Sequence, residues 1–136
     1  MGDYRELTFY QKSRLVTQGC ARLIKNWPKV MQAQEIARQM FRSATSVGAN
    51  IAEGHGRYEG NEYARYLVIA QASANETDHW LNTALDVGLG RDEEIRSLIA
   101  LNLEVRKMLS ATIKTIRSKS VSKAIRDEQS EYGTKE

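Results

Sequence analysis

The sequence predicts an all-α protein, an antiparallel up-down-up-down four-helix bundle. Three observations carry this reading. Apolar residues recur at alternating spacings of three and four along four separate stretches, the signature of helices with one buried face. The breaks between those stretches, around Asn26 to Lys29, Gly54 to Gly60 and Gly88 to Gly90, are short enough that consecutive helices must fold back on one another. No strand-like alternation, solenoid repeat or low-complexity block competes with this pattern. A chain of 136 residues buries roughly two-thirds of its unfolded surface as one domain, enough for a core without disulfides or metal. The bundle is expected over residues 1–117, with a polar, disordered tail over 118–136.

Thr8 followed by Gln11 reads as a capping box, which starts the first helix near Phe9. Val16, Cys20, Leu23 and Trp27 form its apolar stripe, and Pro28 ends it, because the residue before a proline avoids the helical region. Arg14, Arg22, Lys25 and Lys29 fall on the opposite side. A second helix over Met31 to Glu53 carries Ala33, Ile36, Met40, Ala44, Val47 and Ile51 on one face. Ala44, Gly48, Ala49 and Ala52 let a neighbour approach its C-terminal half. Gly54 is the expected left-handed cap, and His55 to Gly60 form the connecting loop.

The third helix, Asn61 to Val87, has the clearest period: Tyr63, Leu67, Ala70, Ala74, Thr77, Leu81 and Ala84 make a seam of nearly four heptads. Its small residues require a partner that comes close or supplies bulk. Asp92 is placed to cap the fourth helix, with Glu93 and Glu94 favourable at the positive end of the helix dipole. Ile95, Leu98, Val105, Leu109, Thr112 and Ile116 continue the spacing, while Ile99, Leu101, Leu103, Met108 and Ile113 widen the apolar arc. That width predicts a central position or a second buried face. Beyond Ile116 the apolar period is lost, which is why the tail is read as disordered.

The formal net charge is +3, compatible with nucleic acid without requiring it. Residues 1–58 hold 9 Lys/Arg and 4 Asp/Glu, residues 59–90 hold 1 and 5, and residues 91–136 hold 10 and 8. The third segment is acidic between basic neighbours, so two copies could attract. The single cysteine, on an apolar stripe, points to a reducing, cytoplasmic setting. No apolar run has the length of a membrane span, and MGDYRELTFY carries no apolar run preceded by basic residues, so neither a span nor secretion is expected.

Candidate chemistry is sparse. Glu76 and His79 match one half of the Glu-x-x-His unit of di-metal bundles, but a second half is missing. Gly54, Gly56 and Gly60 lack the preceding strand and the Lys-Ser/Thr of a phosphate loop. No Ser or Cys nucleophile has a histidine in a defined context, so neither catalysis nor a metal or other cofactor is expected. Arg42, Asn50, Glu53, Gly54, Arg57 and Glu62 are expected to form a buried or half-buried polar cluster that fixes the turn. The feature with functional promise is the pair of basic stripes, Arg14, Arg22, Lys25 and Lys29 on the first helix and Arg106, Lys107, Lys114 and Arg117 on the last, since such residues neutralise phosphates. The bland alternative is a pair of solvated faces.

Arg42-Ser43-Ala44, Ser46 to Gly54 with its Asn-Ile-Ala-Glu-Gly core, Gly56-Arg57, Glu62 and Ala70 to Glu76 together resemble the signature of the 23S rRNA intervening-sequence proteins, also called the S23 or four-helix bundle family. Leu7 to Lys12 and Trp27-Pro28-Lys29 are similar to that family's first segment. Gly48 stands where a proline is common, and Ala72 where a glycine is. The resemblance implies a bacterial, cytoplasmic up-down bundle that assembles as a homopentameric ring, with no known enzyme activity. Structurally similar accessory proteins of retroelements bind nucleic acid and a reverse transcriptase. Two expectations follow: a non-enzymatic homo-oligomer that binds structured RNA or DNA through its basic faces, or a protein-interaction scaffold for a nucleic-acid enzyme such as a reverse transcriptase.

Overall fold

The computed structural model contains α1 (Thr8–Lys25), α2 (Met31–His55), α3 (Gly60–Asp86) and α4 (Asp92–Thr134), preceded by a short 3-10 turn at Tyr4–Glu6. It describes residues 2–57 and 60–134, without the side chains of 132–134; Tyr58 and Glu59 of the predicted loop lie outside the described residues. Each helix packs on two neighbours in the cyclic order α1, α2, α3, α4, and among the described residues the backbones of neither diagonal pair approach closely.

The register of individual contacts makes every neighbouring pair antiparallel. Thr17 of α1 donates to the Ala44 carbonyl of α2, while Ser13, one turn earlier on α1, lies beside Gly48, one turn later on α2. Ser43 pairs with Thr77 and Ser46 with Ser73 across α2 and α3. Asn102 reaches the Ala74 carbonyl and Ser110 reaches Gln71 across α3 and α4. Lys12 meets Glu104, and Gly19 abuts Leu98, across α1 and α4.

The predicted apolar stripes are the core. Val16, Cys20, Leu23 and Trp27 are buried, as are Ala33, Met40, Ala44, Val47 and Ile51 of α2. The small α3 seam of Ala70, Ala74, Thr77 and Ala84 is buried too, and its alanines join one cluster with Met40, Ile51, Ile95 and Leu109, which supply the bulk. Of the residues that widen the arc of α4, Ile113 is buried and Ile99, Leu101 and Met108 pack against the core. Leu103 alone of that set is exposed.

The local expectations at helix ends need correction. No capping box forms at Thr8: α1 begins with Leu7 as its cap and no side-chain cap bond. Gln11 instead donates to the Arg5 carbonyl at 3.0 Å, because the preceding 3-10 turn, capped by Asp3, brings that carbonyl within reach. Gly54 is not a left-handed cap. It lies inside α2, and among the described residues only Gly88 and Gly90 have positive φ, 72° and 96°. Asp92 occupies the first turn of α4 rather than its cap, since the Ile95 N–H already bonds the Arg91 carbonyl.

The largest correction concerns the tail. Where disorder is expected from residue 118, α4 continues without a break to Thr134. Loss of the apolar period marks loss of a buried face, not loss of helix. Residues 118–131 contain neither Gly nor Pro, and extending an existing helix requires no new nucleation. Ser120, beside Gly60 at the start of α3, is the last part-buried residue of α4 among those described, and residues 121–131 are all exposed. Val121 and Lys123 still border hollows on the bundle, and beyond Lys123 the helix runs on for roughly 15 Å at 1.5 Å per residue.

Candidate nucleic-acid interface

The two basic stripes lie on different faces. Arg14, Arg22, Lys25 and Lys29 are all exposed. Arg14 borders a shallow hollow of about 310 Å³ between α1 and α2, shared with Tyr10, Thr17 and Thr45. Its guanidinium donates to the Tyr10 hydroxyl at 3.1 Å, a bond that raises the guanidinium pKa further above its ordinary value. Arg106, Lys107, Lys114 and Arg117 border two hollows of about 500 and 640 Å³ on the α3/α4 face. Gln71 and Ser110 line both, so the two form one continuous groove. In the cyclic bundle, the α1/α2 and α3/α4 faces are opposite. Arg14 and the α3/α4 hollows therefore lie on opposite sides of the chain, and none of Arg22, Lys25 and Lys29 lines either hollow.

Arg106 is partly engaged, with its Nε donating to Asn75 Oδ1 at 2.8 Å and its Nη1 3.8 Å from Asp78. Lys107, Lys114 and Arg117 form no ion pair among the described residues. The groove floor is apolar, formed in part by Ile113, and Val121 stands at its outer end.

Antiparallel packing concentrates charge here in a way that segment totals conceal. From residue 105 to 126, α4 has seven Lys/Arg and no Asp/Glu; from 63 to 75, α3 has no Asp/Glu either. The contacts of Asn75 with Arg106, Gln71 with Ser110 and Gly60 with Ser120 lay these two stretches side by side. Summed over residues 59–90 the third segment is acidic, but its five carboxylates, at 59, 62, 76, 78 and 86, all fall outside the stretch 63–75. The acid-free run of α4 is visible in the sequence, whereas its pairing with an acid-free run on α3 depends on helix register. Local potential follows the nearest charges, so this face is the more positive one.

The six residues expected to fix the turn do not form one network. Arg42 bonds Glu76 on α3 at 3.2 Å and Gln39 on its own helix. Asn50 donates to the carbonyl and hydroxyl oxygens of Ser46. Glu53 pairs with Arg57 at 2.7 Å, Arg57 also reaches the Tyr66 hydroxyl, and Glu62 lies 3.9 Å from Arg65. Helical geometry explains the dispersal: partners three or four positions apart on one helix are satisfied locally. Gly54 contributes close packing against Tyr63 and Tyr66 of α3 instead. The buried polar contacts between helices are ones the sequence reading passed over, namely the Ser43–Thr77 hydroxyl pair at 2.9 Å and Asn102.

Glu76 accepts from Arg42 and from Trp80 Nε1, and the His79 ring is exposed against Trp80. No group of three His, Cys, Asp or Glu side chains comes together among the described residues. Burial pushes the Cys20 thiol up to about 12 and raises the Tyr63 phenol. No helix among the described residues is long and apolar enough to cross a membrane.

Comparison with known proteins adds two findings. The family described as 23S rRNA-intervening sequence protein matches residues 5–111. A crystal structure of a protein of unknown function from the S23 ribosomal protein family of Bacteroides thetaiotaomicron superposes with a TM-score of 0.69 at 28% identity, covering 79% of this chain and 99% of the other. No curated protein matches the chain.

Proposed function

The chain belongs to the 23S rRNA-intervening sequence protein family, and from that premise we propose that it is a non-enzymatic, homo-oligomeric bundle that binds structured RNA or DNA, with the α3/α4 groove as its principal contact. The observation that carries the proposal is the juxtaposition of two acid-free stretches around Arg106, Lys107, Lys114 and Arg117. Lys107, Lys114 and Arg117 are in no ion pair among the described residues, and such cations neutralise phosphates and release counterions, which gives affinity without base recognition. The described lining of the groove has no aromatic side chain on which a base could stack, so the fit is to a phosphate backbone rather than to splayed bases.

The α1 stripe takes a secondary place in this reading, because none of its residues lines the groove. In a five-copy ring, the assembly the family resemblance implies, each groove would be repeated and a long nucleic acid would bind by multivalency. Charge reversal separates the two faces. Lys107→Glu with Arg117→Glu should abolish binding to a structured RNA or duplex DNA in a mobility-shift assay, while Arg22→Glu with Lys25→Glu should weaken it far less. The opposite ranking would move the interface to α1.

A further inference from the structure

The family match ends at residue 111, yet α4 continues as helix to Thr134. The added part is unlike a solvated helix. Val121 and Ile125 are 61% and 51% exposed. Ser110, Lys114, Arg117, Val121, Ile125 and Glu128 recur at spacings of three and four, so they share one outward face, and the first four of them border the α3/α4 groove. Along this face the charge changes sign: Lys114 and Arg117 precede the apolar pair and Glu128 follows it, within a helix that is acid-free from 105 to 126. An apolar pair with cations before it and a carboxylate after it is complementary to its own reverse.

We propose that the projecting part of α4 pairs with the same segment of a second copy of this chain, antiparallel, about a two-fold axis beside Val121. Turned end for end about that point, Val121 meets the second copy's Val121, and Ile125 lies over Ser118 and the aliphatic stem of Arg117. Lys114 stands opposite Glu128, twice by symmetry. A parallel pairing would align like charges instead. The overlap runs from Ser110 to about residue 132, roughly 30 Å of helix at 1.5 Å per residue, and its inner half lies against the groove rather than on an isolated helix. Arg117 and its own copy are separated by about 12 Å along the helix axis at 1.5 Å per residue, and its long side chain can turn outward.

A two-fold contact doubles whatever the bundle domains assemble into, one chain to two or a ring of five to ten. It also covers Lys114 and Arg117, so self-pairing and the proposed phosphate contact exclude one another at those residues. The test below contains no nucleic acid, so its result is separate from that reading.

The full chain carrying Val121→Cys should form a disulfide-linked dimer under mild oxidation, because residues on the axis bring their Cβ atoms within bonding range. Lys107→Cys, far from the axis, should not, and Cys20 is buried. Val121→Asp with Ile125→Asp should halve the mass measured by light scattering while circular dichroism and melting show the bundle intact. Lys114→Glu should weaken self-association roughly tenfold, and adding Glu128→Lys should restore it. The proposal is overturned if the double aspartate variant keeps the wild-type mass, or if cysteine at 107 cross-links and cysteine at 121 does not.

Discussion

Gly54 of α2 lies so close to α3 that a Cβ in its place would stand 2.6 Å from the Cβ of Tyr66. That separation is below any ordinary contact, and the opposing atom is next to the backbone and cannot swing away. Gly54→Ala should therefore destabilise the bundle by about 1–3 kcal/mol, the usual cost of overpacking. At Gly48 the nearest atoms to a new Cβ, Ser13 Oγ and a Tyr10 ring carbon, are 3.4 Å away. Gly48→Ala should raise stability by roughly 0.5 kcal/mol through helix propensity. Urea unfolding of the two variants checks the contrast, and equal effects would remove close α2/α3 packing as the reason for Gly54.

Asn102 is 1% exposed and donates to the Ala74 carbonyl at 2.9 Å, tying α4 to α3 in the middle of the core. Replacing it by Ala removes a buried hydrogen bond and leaves a cavity, and should lower unfolding free energy by about 1–3 kcal/mol. Glu53→Ala, which breaks an exposed i, i+4 pair with Arg57, should change it by less than about 0.5 kcal/mol. Chemical denaturation of both variants measures the difference.

The four helices and the residues that face the core were legible because spacings of three and four report burial directly. Val16, Cys20 and Leu23 on α1 and Leu67 to Ala84 on α3 follow that rule without exception. Gly54 was misread because a glycine near a helix end serves either a left-handed turn or a close approach, and only the position of Tyr66 separates the two. The projecting end of α4 was missed for a different reason: amphipathic period predicts packing, and an exposed helix needs none. The Ser43–Thr77 pair looks like two small helical residues until antiparallel register brings them together. For the same reason the basic residues of α4 could be named from sequence, whereas their concentration beside an acid-free stretch of α3 could not.

Cys20 has a thiol raised to about 12 by burial, from an ordinary value of 9.0. A raised folded-state value means that the unfolded chain loses its proton first as pH rises. The burial of the neutral thiol therefore contributes fully to stability below about pH 9, and that contribution is lost between there and 12. Cys20 should not react with a thiol reagent at pH 8 in the folded protein and should react in denaturant. Rapid labelling of the native chain would contradict its placement in the core.

Residues 121–131 are exposed throughout and contribute nothing to the bundle core. Truncation after Ser120 should leave the free energy of unfolding of the dilute protein within about 0.5 kcal/mol of the full chain. The helical circular-dichroism signal should fall by the share those residues contribute. A truncated chain that has lost no helical signal would show that the projecting segment is not helical in solution.

The salt dependence of nucleic-acid affinity tests the central claim most directly. Fluorescence anisotropy with a duplex DNA, titrated from low to physiological salt, should give a log–log slope near −0.9 for each phosphate neutralised, so about −3 to −4 for the four cations of the α3/α4 groove. Lys107→Gln with Lys114→Gln should reduce the size of that slope by about 2, and Arg22→Gln with Lys25→Gln should leave it nearly unchanged. Absence of binding at low salt, or a slope indifferent to Lys107 and Lys114, would contradict the assignment of this groove as the phosphate-binding face.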